Sequence, residues 1–242
     1  MKQARAAWRL AHATLHAAHG AAIVAWRFPR IDEVGRRRHI AWWSAKLLRV
    51  LGLELATHGA PTPQAAMIVA NHVSWLDIAA IHASAPHARF VSKADVLGWP
   101  MLGRMVRGAG TLFIERDRKR DALRVVHQVA EALARGETVA VFPEGTTSDG
   151  RSVLPFHANL LQAAISSGAP VQPVALRYSD AQHAVTPAAN FPTTLAASVW
   201  AIVCGEGLCV TVRWLAPQLS QGRERRALAE GLRQDLVGSF GR

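Results

Sequence analysis

Apolar and polar positions change rhythm along this chain, and the changes divide it. Residues 4–27 are alanine-rich, with Arg5, Arg9, His12, His16 and His19 recurring down one face at helical spacing. Phe28-Pro-Arg-Ile-Asp32 breaks that helix, and Asp32-Glu33 supply the negative charge a new helix N-terminus favours. The next helix runs to about Leu53, with Ile40, Trp43, Leu47, Val50 and Leu51 on one face. From about residue 61 short apolar runs alternate with helical periods. Strands are predicted at 66–70, 88–92, 111–115, 138–142, 171–177 and 208–214. Helices are predicted at 75–84, 94–107, 118–135, 156–167 and 222–237, and residues 180–199, with Pro187 and Pro192, read as an irregular excursion. Such alternation predicts an α/β fold, a single mixed, largely parallel sheet flanked by helices and preceded by a helical hairpin. The boundary falls between a hairpin over 1–55 and an α/β domain over 56–242.

Composition adds a partner. Of 242 residues half are hydrophobic and 19% charged, which allows a packed core and excludes wholesale disorder. The net charge of +11 points to an anionic partner, either nucleic acid or an acidic membrane surface. Trp8, Trp26, Trp42 and Trp43 share the hairpin with Arg27, Arg30, Arg36, Arg37, Arg38, Lys46 and Arg49. Indoles among arginines suit a lipid headgroup interface, and no nucleic-acid motif is present, so the hairpin is expected at an anionic membrane surface and not on nucleic acid. Residues 4–27 approach the roughly 20 apolar residues a span needs, but Arg9 and the histidines argue against crossing. A signal peptide fits poorly too, because no clean apolar stretch follows the basic start. His12, His16 and His19 could face a metal, yet no carboxylate accompanies them, and a polar helix face is the simpler reading. Cys204 and Cys209 are too few for a disulfide scaffold and wrongly spaced for a zinc knuckle.

Candidate chemistry gathers at strand ends. The strand Ala66-Met-Ile-Val-Ala70 empties into Asn71-His-Val-Ser-Trp-Leu-Asp77, which holds a histidine and an aspartate five residues apart. Histidine titrates near neutrality and can take a hydroxyl proton, while a carboxylate on its other nitrogen fixes the tautomer. Ser74-x-x-Asp77 also reads as a capping box starting a helix at Trp75, and the two readings are compatible. No G-x-S-x-G elbow or cysteine motif supplies a nucleophile, so a base at His72 would act on a substrate hydroxyl. Gly110-Thr-Leu-Phe-Ile-Glu-Arg116 is a strand ending in an arginine able to grip phosphate, although most strand-end arginines are merely solvated. Phe142-Pro-Glu-Gly-Thr-Thr-Ser148 follows the strand 138–142, with Gly145 permitting a tight turn, and its amides, hydroxyls and Glu144 suit a polyol or phosphate. Pro170-Val-Gln-Pro-Val-Ala-Leu176 is a buried strand that would wall the site.

Taken in order and spacing, these four blocks resemble those of the glycerolipid acyltransferases, the 1-acyl-sn-glycerol-3-phosphate (lysophosphatidate) acyltransferase group, over about residues 65–180. The resemblance implies that His72 is the base and Asp77 its partner, the two ends of an H-x-x-x-x-D motif. Arg116 with Glu144, Gly145 and Thr146 would then bind the acceptor, with Asn71, Ser74 and Lys93 in support. It implies a fatty acyl donor, acyl-CoA or acyl-carrier protein, a membrane lipid acceptor, no metal and no further cofactor. The implied setting is phospholipid biosynthesis at the cytoplasmic face of a bacterial inner membrane, in peripheral or monotopic attachment. The favoured acceptor is 1-acyl-sn-glycerol-3-phosphate. Many members that acylate it carry arginine where this chain has Thr147, and Phe-Lys-x-Gly where it has Phe156-His-Ala-Asn159. Relatives that acylate lyso-ornithine lipid are similar to this chain there, which makes that lipid the alternative acceptor. Thioester hydrolysis and a catalytically silent membrane-binding protein are the rival functions.

Overall fold

The computed structural model describes residues 2–93, 102–114, 119–182, 185 and 194–240. Helix α1 (Lys2–Ala22) passes through a π turn at Ile23–Arg27 and a 3-10 turn at Phe28–Arg30 into α2 (Glu33–Leu51). Asp32 caps α2 as expected, its carboxylate accepting from the Gly35 amide at 2.8 Å. Gly52 stops α2 in the left-handed region, at φ 91°. A Cβ there would also lie 2.2 Å from the Arg9 guanidinium carbon, a contact the flexible arginine could relieve, so it is the backbone conformation that requires glycine.

Seven strands form one sheet in the order β1-β7-β6-β2-β5-β3-β4. They are β1 (Leu53–His58), β2 (Met67–Ala70), β3 (Arg89–Lys93), β4 (Leu112–Ile114), β5 (Val139–Val141), β6 (Val171–Ser179) and β7 (Leu208–Trp214). Only the β6–β7 pair is antiparallel, so β7 and β1 run against the other five strands. The remaining helices are α3 (Asp77–Ser84), α4 (Leu102–Gly108), α5 (Lys119–Ala134), α6 (Leu161–Ser167), α7 (Leu195–Cys204) and α8 (Arg225–Ser239). This is the mixed, largely parallel α/β sheet expected.

Alternation along the strands sorts the core into two layers. Ile68, Ala70, Val174, Leu176 and Val210 pack against α2, α3 and α7 on one face. Met67, Val69, Val139, Val141 and Val171 pack against α5, α6 and α8 on the other. The central strands β2 and β5 are neighbours, yet the chain leaves β2 for α3 on the first face and β5 for α6 on the second. Diverging exits open a crevice at the carboxyl ends of those strands, the usual ligand position in such sheets.

The sequence reading missed two elements. β1 lies where the second helix was expected to end and the α/β domain to begin; only Leu53 of it is buried, so it lacks an apolar signature and is held by its ladder to β7. α7 begins inside the supposed irregular excursion, where Thr194 accepts from the Ala197 amide at 3.2 Å and caps it.

Helix α1 is polar on the inside. Arg9 donates to the carbonyls of Val203 and Gly205 at the end of α7, at 3.1 and 2.7 Å, and Arg5 pairs with Glu206. His16 is buried against α2, where its Nε2 donates to the Trp43 carbonyl at 2.9 Å and the Trp43 indole returns a bond to the His16 carbonyl at 3.0 Å. The outward face instead carries Trp8 and Leu15, 66% and 68% exposed, with Trp26 beyond at 70%. Among the described residues no helix is long and apolar enough to cross a membrane.

A buried histidine in α3 predicts acid sensitivity. His82 donates to the Ala88 carbonyl at 2.9 Å and meets Phe90 edge-on, and burial pushes its pKa down to about 4 against the opposing pull of that carbonyl. The folded imidazole stays neutral while the unfolded one takes a proton below about pH 6.5. Stability is therefore complete above that pH and falls as pH drops toward 4, by up to about 3 kcal/mol from this group. Denaturant titrations across this window should show the loss, and His82→Gln should flatten it; an unchanged slope in the variant would assign the sensitivity elsewhere.

Candidate active site

The site is assembled where β2 and β5 end. Asn71 extends the β2–β6 contact past its last rung: its side-chain amide donates to the Leu176 carbonyl at 2.9 Å and its oxygen accepts from the Leu176 amide at 2.8 Å. His72 follows, and a tight turn brings the chain round to Asp77 at the head of α3. Asp77 is fully buried, and four donors satisfy it. Its Oδ2 accepts from His72 Nδ1 at 2.8 Å, the Val73 amide at 2.7 Å and the Ser74 amide at 3.0 Å, and its Oδ1 accepts from the Tyr178 hydroxyl at 2.7 Å. The capping box is half made. Asp77 reaches back to the Ser74 amide, but Ser74 Oγ accepts from Leu76 at 3.3 Å, and the helix starts at Asp77, not at Trp75.

The β5 side builds the other wall. Phe142 stacks on the His72 ring, centroids 4.2 Å apart and planes 13° off parallel, which holds the imidazole plane from beneath. Pro143 ends the strand. Gly145 turns the chain at φ 71°, with the His157 ring 3.2 Å from where a Cβ would sit. Ser148 is buried, and its amide donates to the His72 carbonyl at 2.8 Å, so the two loops brace one another. Gly145 and Thr146 are exposed at the rim, as acceptor-binding residues need to be, whereas Glu144 lies buried below them.

Glu144 is the electrostatic exception. Neither carboxyl oxygen finds a partner in hydrogen-bond geometry. Burial pushes its pKa up to about 8, and the Asp77 charge adds to the rise against the opposing pull of the His72 and Leu154 amides. Neighbouring carboxyls with unequal donor sets take unequal charges. Asp77 has four donors; Glu144 has none in hydrogen-bond geometry, and burial holds it toward its protonated form. Tyr178 is pushed the other way from acidity, by burial and then by Asp77, so it remains a donor.

Because a carboxylate only accepts, the neutral His72 ring carries its proton on Nδ1 and leaves the Nε2 lone pair open. No hydroxyl or thiol among the described residues hydrogen-bonds to that ring, and His72 keeps 22% of its side-chain surface accessible. The arrangement can accept a proton from an incoming hydroxyl but contains no bonded nucleophile of its own. Among the described residues no cluster of His, Cys, Asp and Glu is placed to hold a metal ion. Of the residues anticipated, Asn71, His72, Ser74, Asp77, Glu144, Gly145 and Thr146 come together. Lys93 closes β3, but its side chain, like Arg116 entirely, lies outside the described residues. Tyr178 and Phe142 were not anticipated as site residues. Tyr178 is the chain's single tyrosine and follows directly on the predicted buried strand 171–177, a position where a lone phenol needs a partner.

Known proteins match this chain throughout. The family model described as Acyltransferase matches residues 54–177, just over half of the chain. A lyso-ornithine lipid O-acyltransferase of Pseudomonas aeruginosa is 37% identical over 225 residues, covering 89% of this chain and 85% of its own. A 1-acyl-sn-glycerol-3-phosphate acyltransferase of Neisseria gonorrhoeae is also 37% identical, over 77% of this chain and 73% of its own. The chain thus belongs to the acyltransferase family and is an acyltransferase of the lysophosphatidate acyltransferase group. In fold it is similar to the 1-acyl-sn-glycerophosphate acyltransferase PlsC of Thermotoga maritima, with a TM-score of 0.74 and 21% identity over 100% of this chain and 99% of that one.

Two variants test the charge assignment. Glu144 stays protonated in the fold to about pH 8 but ionises above about 4.5 when unfolded, so its cost to stability grows across that interval. Glu144→Gln should be more stable than the parent by about 3 kcal/mol at pH 7, with the difference vanishing near pH 4.5. A constant difference across pH would mean that Glu144 is charged in the fold. Tyr178→Phe leaves Asp77 Oδ1 unpaired, and urea unfolding should register a loss of about 1–3 kcal/mol.

Proposed function

We propose that the chain is an O-acyltransferase that moves a fatty acyl group from a thioester donor, acyl-CoA or acyl-carrier protein, to the free hydroxyl of a lysolipid. The favoured acceptor is 1-acyl-sn-glycerol-3-phosphate, giving phosphatidic acid. One observation carries the mechanism: His72 is oriented through Nδ1 by a buried carboxylate, and among the described residues no enzyme nucleophile is bonded to it. The acceptor hydroxyl gives its proton to Nε2 as its oxygen attacks the thioester carbonyl. Collapse of the tetrahedral intermediate forms the ester and expels the thiolate, which takes the proton back. The oxygen that develops charge needs hydrogen-bond donors.

The second reading, lyso-ornithine lipid as acceptor, is favoured by the Pseudomonas relative, which aligns over more of this chain than the Neisseria one. Thr147 and His157 agree with it, being less cationic than arginine and lysine at a rim meant for a phosphomonoester. Arg116 is assigned to the acceptor headgroup on the family resemblance. The setting assigned is the cytoplasmic face of a bacterial inner membrane, with residues 1–55 as the attaching unit. The outward Trp8 of α1 and Trp26 in the turn beyond it support attachment without a span.

Purified protein, labelled acyl-CoA and a panel of lysolipids decide among these. Acyl transfer to lysophosphatidate above lyso-ornithine lipid supports the first acceptor, and the reverse order supports the second. Release of free fatty acid whatever the acceptor would identify a hydrolase, and no turnover with any donor a silent binder. His72→Ala should lower kcat by about 10²–10⁴; a variant keeping a tenth of parental activity removes the general-base role.

A further inference from the structure

Helix α7 touches both the catalytic turn and the outward surface. Its inner side is buried at Ser198, Ile202 and Val203, and its outer side presents Ala197, Ala201 and Trp200, the last 50% exposed. From Leu195 to Cys204 it carries no charged residue. Its carboxyl end is fastened to α1 by Arg9, so the two helices form one body. Trp8, Leu15 and Trp200 are all exposed on that body, while Arg9 and His16 of α1 are engaged by protein carbonyls. A helix pair that holds Arg9 against its own carbonyls and presents indoles outward has the polarity suited to the headgroup layer of a bilayer. Charge agrees: neighbouring α2 exposes Arg37, Arg38, Lys46 and Arg49, a cationic border fit for anionic lipid.

The inner side of α7 leads to the chemistry. Ser198 Oγ accepts from the Trp75 indole at 3.2 Å, and Trp75 lies in the turn between His72 and Asp77. Trp75 and Val199 both pack against the same core layer. We infer that α7 is a bilayer-contacting element in its own right, and that through Ser198 and Trp75 it seats the His72–Asp77 turn against the lipid surface. An acceptor could then keep its acyl chain in the leaflet while its hydroxyl reaches Nε2. This inference rests on the lysolipid reading given above.

The test compares vesicle binding and interfacial turnover. The full-length protein is sedimented with vesicles of phosphatidylethanolamine and phosphatidylglycerol in equal parts, and acyl transfer is assayed with acceptor in those vesicles and with a short-chain acceptor that stays monomeric. Trp200→Glu should weaken vesicle binding at least about tenfold, as expected for an indole withdrawn from an apolar contact, and lower the vesicle-to-monomer rate ratio comparably. Trp200→Phe should recover most of both. Should Trp200→Glu lose activity on the monomeric acceptor too, Ala201→Glu on the same face decides by the same ratio. Parental vesicle binding in the α7 variants, with Trp8→Glu impaired, would overturn the role of α7 and leave the lysolipid reading intact. Weakened binding in a protein that transfers acyl groups to no lysolipid would do the reverse.

Discussion

A carboxylate sealed from water is costly unless donors surround it, and the site is organised around meeting that requirement at Asp77. Two of its donors are the amides of Val73 and Ser74, which fixes the turn. The third is the His72 ring, which fixes the tautomer, and the fourth is the phenol of β6, which fixes the distance to the neighbouring strand. Turn, helix start, ring orientation and strand spacing thus share one anion. Glu144 beside it lacks any comparable donor set, and burial, with a smaller contribution from the Asp77 charge, raises its pKa.

Periodicity reveals which residues share a face, and it is silent about which way that face points. Arg5, Arg9, His12, His16 and His19 recur down one face at helical spacing, and the histidines read as a polar helix face. Arg5, Arg9 and His16 instead face protein, because Glu206, the carbonyls ending α7 and the Trp43 carbonyl offer partners that a sequence does not display. The exposed side of α1 then carries Trp8 and Leu15 together with Thr14 and His19.

The central strands and the chemistry at their ends were legible because both leave local signatures: short apolar runs, then a proline or glycine, then polar residues. β1 was not, since an edge strand with one buried residue owes its existence to β7 rather than to its own pattern. α7 was hidden behind Pro187 and Pro192, whose turn signals outweighed a short helix capped by Thr194. Tyr178 and Asn71 matter through partners 101 and 105 residues away, and no reading of local spacing reaches that far.

Those separations bear on the order in which the molecule can be made. The turn that holds His72 is encoded in the first third of the chain, but its anion lacks a donor, and its strand a rung, until β6 has been synthesised and docked. Closing so long a loop is an entropic cost met before the contacts reward it, so the site belongs to the late, non-local stage of folding. A nascent chain carrying the whole H-x-x-x-x-D motif therefore does not yet hold that turn in its final geometry. The geometry is completed with β6, about a hundred residues after the motif itself.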